Sequence, residues 1–362
     1  MKLFTVFSLV LVFILCTTAL AGWTVTYLHP NPSDISYAHG VGGGKQVGDI
    51  WSPATGVHAS LWSGTASGCI DLNPAGYDSS TAYGVSGGRQ AGYSIVSGVG
   101  GKSHAGLWSG NAESWVDLHP AGWSASRAYA ISDTQQAGCV LDSVGTVFHA
   151  SLWSGTAESW VDLNPSGCDY SLAYGVSNGQ QVGKASGVAT EGATHAALWN
   201  GTAASWVDLN PAGYGTSQAH ATSGEQQVGR ANEHAALWSG TADSFVDLHP
   251  AGYDTSYAYG VSNGRQVGHV IFGMGVTRAS LWSGKAASWV NLHDYLAPQY
   301  THSYAKGIEV IGDDLWIVGF ASMGSPDTDE AVLWHYVVPE PSSLLALFSG
   351  LAGLGVFIRR KR

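Results

Sequence analysis

The chain has 362 residues, 45% hydrophobic and only 11% charged, with 49 glycines and a formal charge of −11. An acidic, charge-poor chain repels phosphate backbones, which argues against nucleic acid as a partner. So much Gly and Trp with so little charge is also unlike a coiled coil or a cytosolic enzyme, and fits an exported all-β protein of short strands and tight turns.

Residues 1–21 read as a secretory signal: Lys2, an apolar run from Leu3 to Leu15, and Ala19-Leu20-Ala21 as a small-x-small cleavage site. Cys16 follows Leu15 where a lipoprotein signal wants a small residue, so lipid attachment is not expected. Three cysteines then remain, Cys69, Cys139 and Cys168. They lack metal spacing and allow at most one internal disulfide. Two stand where other repeats place aromatics, which reads as space-filling.

From there one paragraph of sequence recurs with a period near 45 residues. It reads AYGVSNGQQVG, a variable linker, HAALWNG, then SWVDLNPAG across Ala173–Pro211 and beyond, with copies from Ala82 and Ala258. Each copy contains four short apolar stretches bounded by turn residues, the pattern of strands. Strand a is the AYGVS type, b is QVG with its flanks, c is HAxLW and d is SWVDL. Asn178-Gly179 and Asn263-Gly264 join a to b, as expected for hairpins needing positive φ. Asn-Pro-Ala-Gly at 73–76 and 210–213 ends d, because Pro cannot extend a ladder.

Strand a occurs at Ala38, Ala82, Ala128, Ala173, Ala219, Ala258 and Ala305. The segment Trp23 to Pro30 is a d with no a, b or c before it, and the last unit has a, b and c with no d. The two fragments complete one unit, which is what a closed ring requires and an open solenoid does not. The expected fold is an all-β seven-bladed β-propeller of four-stranded blades over residues 22–337. Its last blade is closed by the N-terminal strand.

The repeat resembles the extracellular HAF family, whose units carry His-Ala-Phe-Leu-Trp and a Gly-Gln-Val-Val-Gly-like strand. Here HAxLW stands at His58, His104, His149, His195 and His234, with Arg278 replacing the sixth histidine and small residues at the family's Phe position. The resemblance implies an exported repeat protein without a defined reaction.

Residues 338–362 hold a second address. Val338-Pro339-Glu340-Pro341 precedes an apolar run, 342–358, and then Arg359-Arg360-Lys361-Arg362. The run is at the short limit for a transmembrane helix, and the basic cluster would stay cytoplasmic. These residues resemble the PEP-CTERM sorting signal. The resemblance implies that exosortase, a membrane protease, recognises Pro339, Glu340 and Pro341, and that the producer makes exopolysaccharide. The body would then be exported to the cell envelope, outer surface or extracellular matrix, held transiently in the inner membrane. A plain C-terminal anchor is the alternative. Removing both ends would take away five positive charges and leave the body more acidic.

Candidate chemistry is thin. Five histidines and five strand-d aspartates (Asp71, Asp117, Asp162, Asp208, Asp247) repeat around a ring, too far apart to converge on one ion. Across a c–d hairpin, His149 and Asp162 would instead share a structural hydrogen bond. Asn291 and Leu28 are read as standing in for the aspartate in the other two units. Tyr77, Trp123, Tyr214 and Tyr253 follow the d–a turn; they form either a rim on which sugars or peptides stack or plugs between blades. Asp327, Asp329 and Glu330 offer hard oxygens for calcium but lack the full loop pattern. No metal or cofactor is assigned. The b–c linkers vary most, and variable loops on a rigid scaffold are where binding sits. The expectation is a non-enzymatic scaffold that binds exopolysaccharide or a surface protein. Its alternatives are a polysaccharide lyase or glycosidase with a blade-specific site at the central mouth, or a purely structural matrix protein.

Overall fold

The structure is a computed structural model that describes residues 22–31, 35–98, 100–325 and 328–338. It forms seven antiparallel four-stranded sheets. Six are continuous in sequence, over 35–71, 77–117, 125–162, 168–208, 217–247 and 255–291. The seventh takes residues 302–311, 314–322 and 330–337, with Gly22–Tyr27 as its outermost strand. The chain is thus a seven-bladed propeller. Among the described residues there is no α-helix, and none long and apolar enough to cross a membrane. The signal at 1–21 and the sorting segment, with Pro339, Glu340, Pro341, the apolar run and Arg359 to Arg362, lie outside the described residues. Two units can be distinguished. Thr24–His335 is the body. Met1–Trp23 and Tyr336–Arg362 form the other, in which the Trp23 and Tyr336 rings lie 5.2 Å apart.

In the first blade strands a to d are Ile35–Gly42, Lys45–Ser52, Gly56–Trp62 and Ile70–Asp71. The a–b turns have the expected positive φ, +50° and +78° at Asn178 and Gly179. Strand d is shorter than SWVDL predicts. In the six continuous blades only its Val-Asp or equivalent pairs with strand c, because a 3₁₀ turn precedes it (Ala157–Ser159 in the third blade, where Trp160 then reaches back to the Ser151 hydroxyl).

The core repeats blade by blade. Trp62, Trp108, Trp153, Trp199, Trp238, Trp282 and Trp334 close strand c, and all are fully buried. One leucine after each strand d is equally buried, and Leu28 belongs to that set. Its N–H donates to Ala331 O at 2.8 Å just as Leu72 N–H donates to Ala59 O. Tyr27, not Leu28, therefore occupies the aspartate position of the seventh blade, a one-residue correction to the sequence register.

Blade-to-blade junctions share one device. A strand-c N–H donates to a serine hydroxyl on strand a of the next blade: Ala59 to Ser80, Ala105 to Ser126, Ala150 to Ser171, Ala196 to Ser217, Ala235 to Ser256, Ala279 to Ser303 and Ala331 to Ser36, all at 2.8–2.9 Å. Each bond is short, buried and satisfies a backbone donor that the interface would otherwise orphan.

Candidate functional site

The histidine–aspartate pairs belong to this scaffold. His149 Nδ1 meets Asp162 Oδ2 at 2.9 Å, and the four equivalent pairs lie at 2.7 Å. The other oxygen of Asp162 accepts the Asn164 N–H, and the Asn164 Oδ1 accepts from the Ser171 hydroxyl that ties the junction. The network runs from strand c through d to the next blade, so it serves assembly.

The sequence-predicted aromatics sit along the same junctions. The Tyr77 hydroxyl accepts the Trp115 indole N–H at 3.0 Å. Trp123 packs on Trp160 at 5.3 Å, Tyr214 on Phe245 at 4.9 Å, and Tyr253 on Trp289 at 4.9 Å. Each half-buried ring rests on an aromatic of its own blade rather than on another of the four. Of the acidic trio, Asp329 accepts from the Tyr37 hydroxyl at 2.9 Å and Glu330 from the Tyr300 hydroxyl at 2.6 Å. Asp327 lies outside the described residues. Among the described residues no cluster of three metal-ligating side chains occurs. Cys69, Cys139 and Cys168 are free thiols; burial pushes Cys139 up to about 12 and Cys69 up to about 11.

The feature that sequence reading missed is axial. In every blade the glycine of the b-strand QxG or VG motif lies so close to strand a that a Cβ on Gly138 would sit 1.9 Å from Arg127 O, and one on Gly48 1.8 Å from Tyr37 O. Opposite this glycine, strand a slips register by one residue in all seven blades, a β-bulge. Bulges re-aim side chains. The bulged residues are His39, Tyr83, Tyr129, Tyr174, His220, Tyr259 and Lys306, and together they line a cavity of about 420 Å³. Their rings follow one another from the first blade to the sixth at centroid spacings of 4.9–5.8 Å. Lys306 Nζ completes the series, 3.9 Å over the Tyr259 ring.

A second tier comes from the residue after each b-strand glycine: Asp49, Tyr93, Cys139, Lys184, Arg230, His269 and Phe320. Each pairs across the ladder with a strand-a residue two before the bulge, as Tyr257 does with His269 and Tyr304 with Phe320. A cavity of about 470 Å³ opens here, lined by Tyr37, Tyr259, His269, Tyr304, Lys306 and Phe320 among others, beside the seventh blade's b–c connection. The far end of the axis is a 560 Å³ opening walled by the a–b turns, mostly Ser, Gly and Val. The two ends differ in chemistry. One is aromatic and charged, the other small and hydroxylic.

Electrostatics divide the funnel. Asp49 is held by His39 Nε2 at 2.8 Å. Across from it Lys184, Arg230 and Lys306 cluster with two histidines. Burial drags the Lys306 ammonium down to about 8. His220 falls to about 4, through burial first and then the three cations, against the pull of the Ala258 carbonyl that its Nδ1 meets at 2.9 Å. His269 falls to about 3 by burial, with Lys306 and His220 adding to it. Burial raises the Tyr83, Tyr129 and Tyr174 phenols, and lifts Tyr259 to about 12. At neutral pH His220 and His269 are therefore neutral imidazoles beside Lys306.

The sequence signal for this site is a pair of columns that vary while their neighbours repeat: x in Ala-x-Gly/Ala and the residue after the b-strand glycine. Reading the repeats for sameness passes over both.

Comparison with known proteins agrees with the two levels of organisation. The family profile of the PEP-CTERM protein-sorting motif matches residues 337–362, marking the chain for export and exosortase sorting. No curated protein matches the chain. Among solved structures, a puromycin hydrolase mutant complexed with PGG is 13% identical with a TM-score of 0.54. A puromycin-hydrolyzing peptidase of Mycobacterium tuberculosis is 16% identical at 0.51. In both, the match covers 82% of this chain and 53% of the other, so this chain spans about half their length. The β-propeller domain of the Trilobed protease from Pyrococcus furiosus is 9% identical at 0.51, covering 83% of this chain and 93% of that domain. At these identities the likeness is one of fold: the chain is similar to propellers that occur in hydrolases, with the PEP-CTERM motif at its C-terminal end.

Proposed function

We propose that the protein is an exported, non-catalytic β-propeller that holds a ligand of the cell surface or polysaccharide matrix in its axial funnel. The observation carrying this reading is the placement of difference. Blades that repeat their junctions, buried tryptophans and histidine–aspartate pairs diverge at the bulge and at the residue after the b-strand glycine. A scaffold has no use for seven unlike side chains after its b-strand glycines, or for a bulge tier of four tyrosines, two histidines and a lysine, whereas a ligand without sevenfold symmetry does. The Gly22–Tyr27 strand clasps the seventh blade in this reading and keeps the ring closed under load. The HAF-like repeats fit it too, as an extracellular module without a reaction. Tyr77, Trp123, Tyr214 and Tyr253 would border the funnel as an outer rim.

The test is to incubate the full chain with exopolysaccharide from its own source and measure retention and chain length together. Retention without shortening, lost in Tyr259→Ala and Arg230→Gln, supports the reading; no saturable retention leaves a structural matrix protein. One observation favours catalysis instead. The His39–Asp49 pair, unlike the five junction pairs, faces the axis beside Tyr83 at 5.0 Å. New reducing ends or unsaturated products that vanish in Asp49→Asn would make the protein a glycosidase or lyase.

A further inference from the structure

Buried cations are normally paired, because an ammonium or guanidinium out of water keeps its charge only at a cost. The half-buried Lys184, Arg230 and Lys306 depart from that rule. Among the described residues every ion pair is between a histidine and a carboxylate, and none involves Lys184, Arg230 or Lys306. Their company is aromatic: Lys306 lies over Tyr259 at 3.9 Å, Lys184 over Tyr174 at 5.8 Å, and Arg230 over Tyr257 at 5.3 Å, its Nη1 donating to the Tyr257 hydroxyl at 3.5 Å. The carboxylates nearby bond to other groups, though Asp329 lines the 470 Å³ cavity together with Lys306. Asp49 is bound to His39, Asp329 to the Tyr37 hydroxyl, and Glu233 to the Tyr257 hydroxyl at 3.2 Å. In a chain whose acids outnumber its bases by 26 to 15, three cations without a carboxylate partner, one of them (Lys306) lining the aromatic cavity, mark a place for an anion.

The flat faces point to the rest of the ligand. His220 and Tyr259 stack at 17°, and Tyr304 and Phe320 at 20°, giving broad planes flanking Lys306. Such planes match the C–H face of a pyranose ring, and the tyrosine hydroxyls around them can exchange hydrogen bonds with its hydroxyls.

We infer that the funnel takes one carboxylate-bearing sugar unit of an acidic glycan, with the carboxylate against Lys306 and Arg230 and the ring against Tyr259 and Tyr304. This inference rests on the axial funnel being the binding site.

Calorimetric titration of the full chain with cellobiouronic acid and with cellobiose separates the two. The acidic disaccharide is expected to bind saturably, at least tenfold tighter than the neutral one, and to weaken as salt rises. Lys306→Met and Arg230→Gln should each cost tenfold or more, while Lys45→Met, outside the funnel, costs nothing. Circular dichroism and Tm on each variant establish that it is folded, and Lys306→Gln serves as a second variant. If both disaccharides bind alike and Tyr259→Ala removes both, the acidic-sugar inference fails and the funnel reading stands. If the acidic sugar binds and the funnel variants leave it unchanged, both fail. Binding of neither sugar overturns the inference, and polysaccharide retention then decides the funnel reading separately.

Discussion

The Ala331 N–H donates to the Ser36 hydroxyl at 2.9 Å, across 295 residues of sequence. The same bond joins each blade to the next elsewhere in the body, so the junction between the last blade and the first is built like the other six. Because the bond is buried and repeated, the ring should be sensitive to any one serine. Ser126 also contacts His119 Nδ1 at 2.9 Å. Ser126→Ala therefore orphans the Ala105 N–H and unbinds the histidine, an expected loss of about 1–3 kcal/mol, read from the shift in the urea unfolding midpoint.

Gly138 is required by close approach. With 1.9 Å between a Cβ and Arg127 O, Gly138→Ala must push strands a and b apart and undo the bulge that aims Tyr129. A destabilisation of at least about 2–3 kcal/mol is expected, together with weaker ligand retention. Gly56→Ala, with open space but a φ of +78°, should cost less, about 1 kcal/mol, and leave retention intact.

Trp153 is fully buried where two blades meet. Trp153→Ala should cost about 3–5 kcal/mol. Since the seven tryptophans are equivalent, Trp238→Ala should cost a similar amount, and the two thermal scans test that equivalence.

Lys306 should show opposite effects on stability and binding. An uncompensated cation penalises the folded state, so Lys306→Met is expected to raise Tm at pH 7 by roughly 2 °C or more while abolishing acidic-sugar binding. A folding role for the lysine would instead lower Tm. In the wild type its folded pKa of about 8 lies below the ordinary lysine value of 10.5. The unfolded chain therefore holds the proton more tightly between those values, and this group adds stability as pH rises through them.

The funnel histidines act in acid. Burial pushes His220 down to about 4 and His269 down to about 3, from the ordinary histidine value of 6.5. Below pH 6.5 the unfolded chain takes up protons that the folded one refuses. Stability from these two groups is thus present above pH 6.5 and is lost as pH falls toward 4. The groups facing them are Lys184, Arg230, Lys306 and the Tyr174, Tyr257, Tyr259 and Tyr304 rings. His220→Gln with His269→Gln should flatten Tm between pH 6.5 and 4 relative to the wild type.

Blade number, strand order, hairpin turns and the His149–Asp162 bond were all legible in the sequence. Each follows from local spacing, and local spacing repeats. The errors were also local: strand d was read too long, because a 3₁₀ turn and a strand differ little in composition, and Leu28 was placed one residue out of register. The funnel could not be read that way. Alternation along strand a gives no sign that His39 or Lys306 tips toward the axis, because the bulge arises from contact between two strands at Gly48 or Gly319. Nor does any single repeat show that Lys184, Arg230 and Lys306, 122 positions apart from first to last in the chain, gather about His220. Sequence determined the repeated unit, since burial and turn chemistry are encoded within each copy. Only closing the ring brought the seven bulged side chains to one axis, because proximity there is a property of the assembled blades.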